Sequence, residues 1–214
     1  MSRGVFVGIG RLLPEDVEAF DRDVAALGAA DGFVFLDPTD GVHPVFLAQR
    51  VRRLRPDARV IVPLVGRDVN RTGLLAVARA AQALGAAGLL LLSGRLDPAN
   101  PARTVYEIDP LQMLGLLREA RVGLEAWVSS RCATAAERAR AESLARAGAV
   151  RCVIPWEGGP AAAPPPGLAP VFSVDEARWQ GGAVPEAPGD LLLEWTPGRG
   201  PEAAALLGRL RGAA

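Results

Sequence analysis

Several arginines and hydroxyl residues directly follow apolar segments of the sequence, in positions where they could bind an anion. Guanidinium and hydroxyl groups hold anions through charge-assisted hydrogen bonds, and the nearby rings of Trp127, Trp156 and Trp195 could stack on a flat ligand. This combination predicts a small anionic heterocycle, such as a nucleotide or a folate. The residues expected to contact it are Thr39, Arg67, Ser93, Gly94, Arg95, Ser129 and Arg131.

Three carboxylates occupy equivalent positions and could act as an acid or a base. Asp37 and Asp40 follow the apolar run that ends at Leu36, and Glu194 lies near the end of a later run. Their spacing selects no reaction, so the sequence assigns no catalytic residue. An enzyme with an unrelated reaction on the same scaffold therefore stays open, because a fold does not determine a function.

The composition excludes several classes of protein. Basic and acidic residues balance at 24 each, which argues against nucleic acid as the main partner. The sequence contains no lysine, which excludes a Schiff-base enzyme and a phosphate-binding loop with its lysine. No apolar run reaches the roughly 18 residues of a membrane span, so the protein is expected to avoid membranes and to be cytoplasmic.

The sequence predicts no metal centre. His43 is the single histidine, and Cys132 and Cys152 lack the spacing of metal ligands. Cys152 lies in an apolar segment and is interpreted as a small buried residue, whereas Cys132 lies nearer the end of a strand, where it could be exposed.

The apolar segments alternate with helical repeats. The clearest unit has a strand at Val60 to Val65, a helix at Asn70 to Leu84 and a second strand at Gly88 to Leu92. Neither strand alternates with polar residues, so both faces should be covered, as in parallel sheets. Ligands of such folds bind at the carboxyl ends of the strands, where the arginines and hydroxyls above are found.

Eight such strands predict an α/β fold, a (β/α)8 TIM barrel formed by a single domain of residues 1–214. Residues 158–170 carry no helical stripe, so the helices after strands six and seven are expected to be short or missing. An open, doubly wound sheet is the alternative, although no GxGxxG motif follows the first strand. The loop from Thr196 to Glu202 leads into the last helix and is a second candidate for anion binding.

The central segment resembles the methylenetetrahydrofolate reductase family. RDVNR at residues 67–71, ALGA at 83–86 and LSGR at 92–95 are similar to the family's motifs between its third and fourth strands. VFLDPTD at 34–40 and TVYEIDPLQML at 104–114 extend the similarity over about the first 156 residues. The resemblance implies a flavoprotein barrel of one-carbon metabolism, in which FAD passes hydride from NAD(P)H to a folate.

Four specialised positions of that family hold other residues here. The proton-donating glutamate aligns with Gly8, a histidine near the flavin with Pro63, an aspartate with Arg95 and a pterin-binding glutamine with Pro155. Loss of a general acid alone slows a reaction by about 10²- to 10⁴-fold. The expected function is therefore a divergent reductase-like protein that binds a flavin or a folate. The alternative is a catalytically silent paralogue that acts as a homo-oligomer, a partner subunit or a regulator.

Overall fold

The chain forms a closed barrel of eight parallel strands in which β1 pairs with both β2 and β8. The computed structural model describes residues 3–36, 41–94, 108–156, 158, 161–175 and 189–212. The strands are β1 Val5–Ile9, β2 Gly32–Phe35, β3 Arg59–Val65, β4 Gly88–Leu92, β5 Glu125–Ser129, β6 Arg151–Pro155, β7 Ala169–Asp175 and β8 Asp190–Trp195. The predicted TIM barrel is confirmed, and the open-sheet alternative is wrong.

Six α-helices surround the described part of the barrel. They are α1 Val17–Ala26, α2 Pro44–Leu54, α3 Arg71–Ala83, α4 Pro110–Glu119, α5 Ala135–Ala147 and α6 Gly200–Gly212, and a short 3₁₀ helix at Pro14–Asp16 precedes α1. Between β6 and β7 the described residues, 156, 158 and 161–168, contain no helix. The predicted shortening after strand six is confirmed there, whereas the segment between β7 and β8 lies mostly outside the described residues.

Side-chain caps fix where the helices begin. The Thr134 hydroxyl accepts the backbone N–H of Glu137, and the Glu137 carboxylate accepts that of Thr134, so the two residues form a capping box at the start of α5. Asp109 and Gln112 form the same arrangement at the start of α4. These caps set where each loop at the carboxyl end of the barrel turns into its helix.

The barrel interior is apolar at its centre and charged at its amino end. Side chains alternate along each strand, and the inward-facing set is Phe6, Val34, Ile61, Leu90, Trp127, Val153, Val171 and Leu192. Below this layer, Glu125 accepts hydrogen bonds from Arg59 at 2.8 Å and from the Trp127 indole at 3.0 Å. Arg151 lies 3.6 Å from the same carboxylate and pairs with Asp190. These ion pairs occupy the amino end, so a ligand would enter at the carboxyl end.

The outer core lies between the strands and the helices. Its largest fully buried side chains include Phe20 of α1, Phe33 and Phe35 of β2 and Leu47 of α2. No helix in the described ranges combines the length and the apolar character needed to cross a bilayer.

Candidate active site

A hydrogen-bonded serine and glutamate lie on the inner face of the barrel at its carboxyl end, which we call the mouth. Ser173 follows the inward-facing Val171 by two residues on β7, and Glu194 follows the inward-facing Leu192 by two residues on β8. The Ser173 hydroxyl donates to Oε1 of Glu194 and is only 4% exposed. The pair therefore holds one carboxylate in a fixed orientation at the inner rim.

Glycines on β1 leave space beside this carboxylate. Gly8 is the register partner of Glu194, and a Cβ at Gly8 would already lie 3.3 Å from the Leu192 side chain. A Cβ at Gly10, one step closer to the solvent on the same face, would meet no described atom within 4 Å. Among the described residues, the β1 side of the mouth is therefore open at Gly10 but not at Gly8.

Arg67, a predicted ligand contact, is held by its neighbours. It is 5% exposed, and its Nε and Nη2 donate to the two carboxylate oxygens of Asp68 at 2.6 Å each. Its backbone N–H donates to the Ser93 carbonyl at 3.0 Å, and its side chain packs against Gly94. Gly94 has a φ of +84°, and a Cβ there would lie 2.6 Å from that of Arg67. Contacts between Arg67 and residues 93 and 94 thus fix the relative position of the ends of β3 and β4.

Two other predicted contacts, Ser93 and Ser129, line one cavity. It has a volume of about 240 Å³ and lies between the ends of β4 and β5 and the first half of α5. Arg131 is exposed near Glu137, and Arg140, which the sequence did not indicate, lines the cavity. Thr39 and Arg95, like Asp37 and Asp40, lie outside the described residues.

The loop from Thr196 to Glu202 is occupied by a carboxylate of the protein itself. Asp23 of α1, 6% exposed, accepts the backbone N–H of Gly198 at 2.7 Å and that of Gly200 at 3.1 Å. These N–H groups at the start of α6 are the donors that a phosphate would use in such a barrel. The predicted second anion site is therefore filled by Asp23.

The two cysteines form a buried pair behind β5 and β6. Both are fully buried, so the expected burial of Cys152 is confirmed, whereas the expectation that Cys132 could be exposed is wrong. Cys132 has a left-handed backbone conformation with a φ of +52°, and its backbone N–H donates to the Ser130 hydroxyl at 3.2 Å. Burial, together with the contact with Cys132, raises the pKa of Cys152 to about 12. The Cys152 thiol therefore stays protonated at neutral pH. Within the described ranges, no three residues of the metal-binding types stand close enough to share an ion.

Ser173 was not among the residues that the sequence indicated. The sequence could have indicated it, because Ser173 is a polar residue two positions after Val171 in an apolar strand, and side chains two positions apart lie on the same face. A hydroxyl at such a position is buried and needs a partner, which here is a carboxylate on the next strand.

Comparison with known proteins shows what this geometry shares with other barrels. No protein-family model matches the chain, and no curated protein sequence matches it. A phosphoenolpyruvate phosphomutase from Streptomyces platensis subsp. rosaceus superposes with a TM-score of 0.60 at 14% identity, over 98% of this chain and 81% of that one. Tryptophan synthase from M. tuberculosis gives 0.63 at 17% identity, over 99% and 93% of the two chains. An uncharacterized protein from Clostridium thermocellum that binds two copies of 5-methyl-5,6,7,8-tetrahydrofolic acid gives 0.66 at 9% identity, over 100% and 96%. These likenesses show the fold alone.

The predicted relationship to methylenetetrahydrofolate reductase is wrong. The structural neighbours include barrels of the phosphoenolpyruvate mutase/isocitrate lyase and tryptophan synthase types, and no family model supports the resemblance. The flavoprotein reductase function falls with it, as does descent as a silent paralogue of that family, whereas a homo-oligomer or a partner subunit stays a prediction. The RDVNR motif has a local explanation, because Arg67 pairs with Asp68 and the Asn70 side chain caps α3 by accepting the Gly73 N–H at 2.9 Å. Binding of FAD itself, or of a small anionic molecule, stays a prediction.

Proposed function

We propose that this chain is an enzyme that moves a proton to or from a carbon atom of a small carboxylate substrate bound in the mouth, with Glu194 as the acid–base group. The observation that carries the proposal is the hydrogen bond from the buried Ser173 hydroxyl to Oε1 of Glu194. A general base acts best when a fixed partner orients it toward the proton that it removes.

The second oxygen of Glu194 is the one available to a substrate. Oε1 accepts from Ser173, whereas Oε2 accepts no hydrogen bond from any residue in the described ranges. Because a Cβ at Gly10 would meet no described atom within 4 Å, we infer that a substrate approaches Oε2 from this side. A carboxylate with one oxygen anchored and the other accessible can take a proton and return it without changing its position.

The groups that already fill parts of the barrel favour a small carboxylic acid without a phosphate as the substrate. The amino end is filled by ion pairs, and the α6 end of the mouth is filled by Asp23, so a phosphate monoester has no free helix start to bind there. The chain has no lysine, so the reaction cannot proceed through a Schiff base. The name of another structural neighbour, 2,3-dimethylmalate lyase, places a small dicarboxylate without a phosphate on the same fold and supports this substrate class.

Solvent exchange tests the proposal whatever the product of the reaction is. The protein is incubated in D₂O with a panel of small 2-oxo, 2-hydroxy and dicarboxylic acids, and the loss of each C–H signal is followed by proton NMR. We expect at least one acid to exchange in the presence of the wild type. Glu194→Gln keeps the size and a hydrogen-bonding group but removes the base, so it should slow this exchange by about 10²-fold or more. Exchange of no acid, or equal rates for the two proteins, would refute the proposal.

A further inference from the structure

The cavity between β4, β5 and α5 differs from the site of Glu194. Among the described residues, its polar lining consists of Ser93, Ser129, Ser130, Glu137 and Arg140, and the other described lining residues are apolar. Glu194 and Ser173 are not part of the lining, so a ligand here would contact a separate set of groups. The volume of about 240 Å³ is below the roughly 300 Å³ at which pockets for whole small molecules begin. It suits one anionic group with a few attached atoms.

The hydroxyls of the cavity have hydrogen atoms left to donate. Ser93 Oγ accepts from Nη2 of Arg140 at 3.3 Å, and Ser130 Oγ accepts the N–H of Cys132 at 3.2 Å. A serine hydroxyl carries one donor besides its acceptor positions. Because both oxygens are used as acceptors, both O–H groups remain to donate, and among the described residues neither finds an acceptor. Donors without acceptors beside a guanidinium group favour an oxyanion.

Among the described residues, the lining carries one guanidinium, Arg140, and one carboxylate, Glu137, which is already engaged elsewhere. Glu137 accepts the N–H groups of Ala133 at 2.9 Å and Thr134 at 3.0 Å, so it is committed to the helix cap. These hydrogen bonds, that of Thr134 first, and the charge of Arg131 lower the pKa of Glu137 and keep it ionised. Arg131 offsets this negative charge from the loop side. The charge of Arg140 is then the one that a ligand in the cavity meets.

We propose that this cavity binds a small oxyanion, a carboxylate or a phosphate group, with Arg140 supplying the charge and the hydroxyls of Ser93 and Ser130 donating hydrogen bonds. The site is independent of the reaction proposed for Glu194. Binding can therefore be measured without any turnover, and Glu194→Gln should bind the anion as the wild type does.

Titration of the ¹⁵N-labelled full-length protein tests this site. Inorganic phosphate and acetate are added in separate experiments at constant ionic strength, and amide shifts are followed by NMR. We expect saturable shifts at Ser93, Ser130 and the start of α5, and the anion that saturates at the lower concentration identifies which group the cavity prefers. Either preference supports the proposal, whereas the absence of saturable shifts with both anions overturns it.

A pair of matched variants separates the cavity from general surface charge. Arg138 and Arg140 are both exposed on the same helix, but only Arg140 lines the cavity, so Arg140→Gln removes its positive charge there and Arg138→Gln removes one outside it. Since a charge-assisted hydrogen bond contributes about 1.5–3 kcal/mol, Arg140→Gln should weaken binding by about tenfold or more, and Arg138→Gln should have little effect. Equal effects of the two variants would mean that the anion senses only the overall charge, and this result would overturn the assignment.

Discussion

Asp23 should contribute more to stability than any other single carboxylate of the outer helices. Its carboxylate joins α1 to the start of α6 by accepting the N–H groups of Gly198 and Gly200 at 2.7 and 3.1 Å. Asp23 is 6% exposed, and a Cβ at Gly200 would clash with its Oδ1, so the two residues are in direct contact. Asp23→Ala would leave both N–H groups without their acceptor.

The size of the effect follows from these two contacts. Hydrogen bonds to a charged group contribute about 1.5–3 kcal/mol each, and an anion at a helix start adds up to about 2 kcal/mol in a partly buried site. Water entering the space left by the carboxylate recovers part of the loss. We therefore expect Asp23→Ala to lower the free energy of unfolding by about 3 kcal/mol. For a chain of this length that corresponds to a fall in Tm of about 6–12 °C.

Urea unfolding followed by circular dichroism measures this change, and Asp21→Ala is the matched control. Asp21 lies on the same helix and pairs with Arg50, but both side chains of that pair are more than a quarter exposed. Partly exposed ion pairs contribute about 0–1 kcal/mol, so the control should lose little. If Asp23→Ala lost no more stability than Asp21→Ala, the proposed role of Asp23 at the start of α6 would be wrong.

Three other positions give expected outcomes of known sign. The pKa of the Cys152 thiol is raised to about 12 in the folded protein, so on raising the pH this thiol ionises first in the unfolded chain. Between about pH 9 and pH 12 the wild type should therefore lose stability relative to Cys152→Ala, by up to about 1.4 kcal/mol per pH unit. Free energies of unfolding that change with pH in the same way for both proteins would contradict this. Gly94→Ala should destabilise the protein by about 2–3 kcal/mol, because Gly94 has a positive φ and a Cβ there would clash with Arg67. Gly148→Ala is the control, since Gly148 has a positive φ but no close neighbour, and it should cost only about 1 kcal/mol in the same urea assay. Ser173→Ala should slow the exchange reaction about tenfold with little change in KM, and an equal rise in KM would instead indicate a binding role.

The barrel could be predicted because its strands are apolar on both faces. Each of the eight apolar runs has the pattern of a strand that is covered on one face by the barrel interior and on the other by helices. The helix caps at Thr134 and Asp109 each involve residues no more than four positions apart, so they can be recognised from the local sequence. Boundaries were less accurate where a distant partner sets them. The strand predicted at Val60 to Val65 begins one residue earlier, at Arg59, whose side chain donates to Glu125, 66 residues later in the chain.

The site was only partly predictable, because its pairs are far apart in sequence. Ser93 and Ser129 were correctly placed at strand ends, and they do line one cavity. The partnership of Ser173 with Glu194 spans 21 residues, and that of Asp23 with Gly198 spans 175, so neither has a local pattern. Asp23 in particular has the sequence pattern of an ordinary polar residue of a surface helix.

The family resemblance failed for a related reason. The residues of RDVNR make local structural contacts: Arg67 pairs with Asp68 at the end of a strand, and Asn70 caps the following helix. Such contacts support the turn between a strand and a helix and do not depend on the reaction. Similarity in such residues therefore follows the fold and not the chemistry. The four positions at which the chain departs from the reductase pattern gave the more informative signal.

Comparison of two glutamates tests the central claim most directly. Glu194 and Glu125 both lie on the inner face of the barrel, at opposite ends, and each has a hydrogen-bonded partner. With the acid found in the exchange screen, we predict that Glu194→Gln slows C–H exchange by about 10²-fold or more, whereas Glu125→Gln leaves the rate within a few-fold of the wild type. If the two variants slowed exchange equally, or if only Glu125→Gln did so, the mouth of the barrel would not be the site of the reaction.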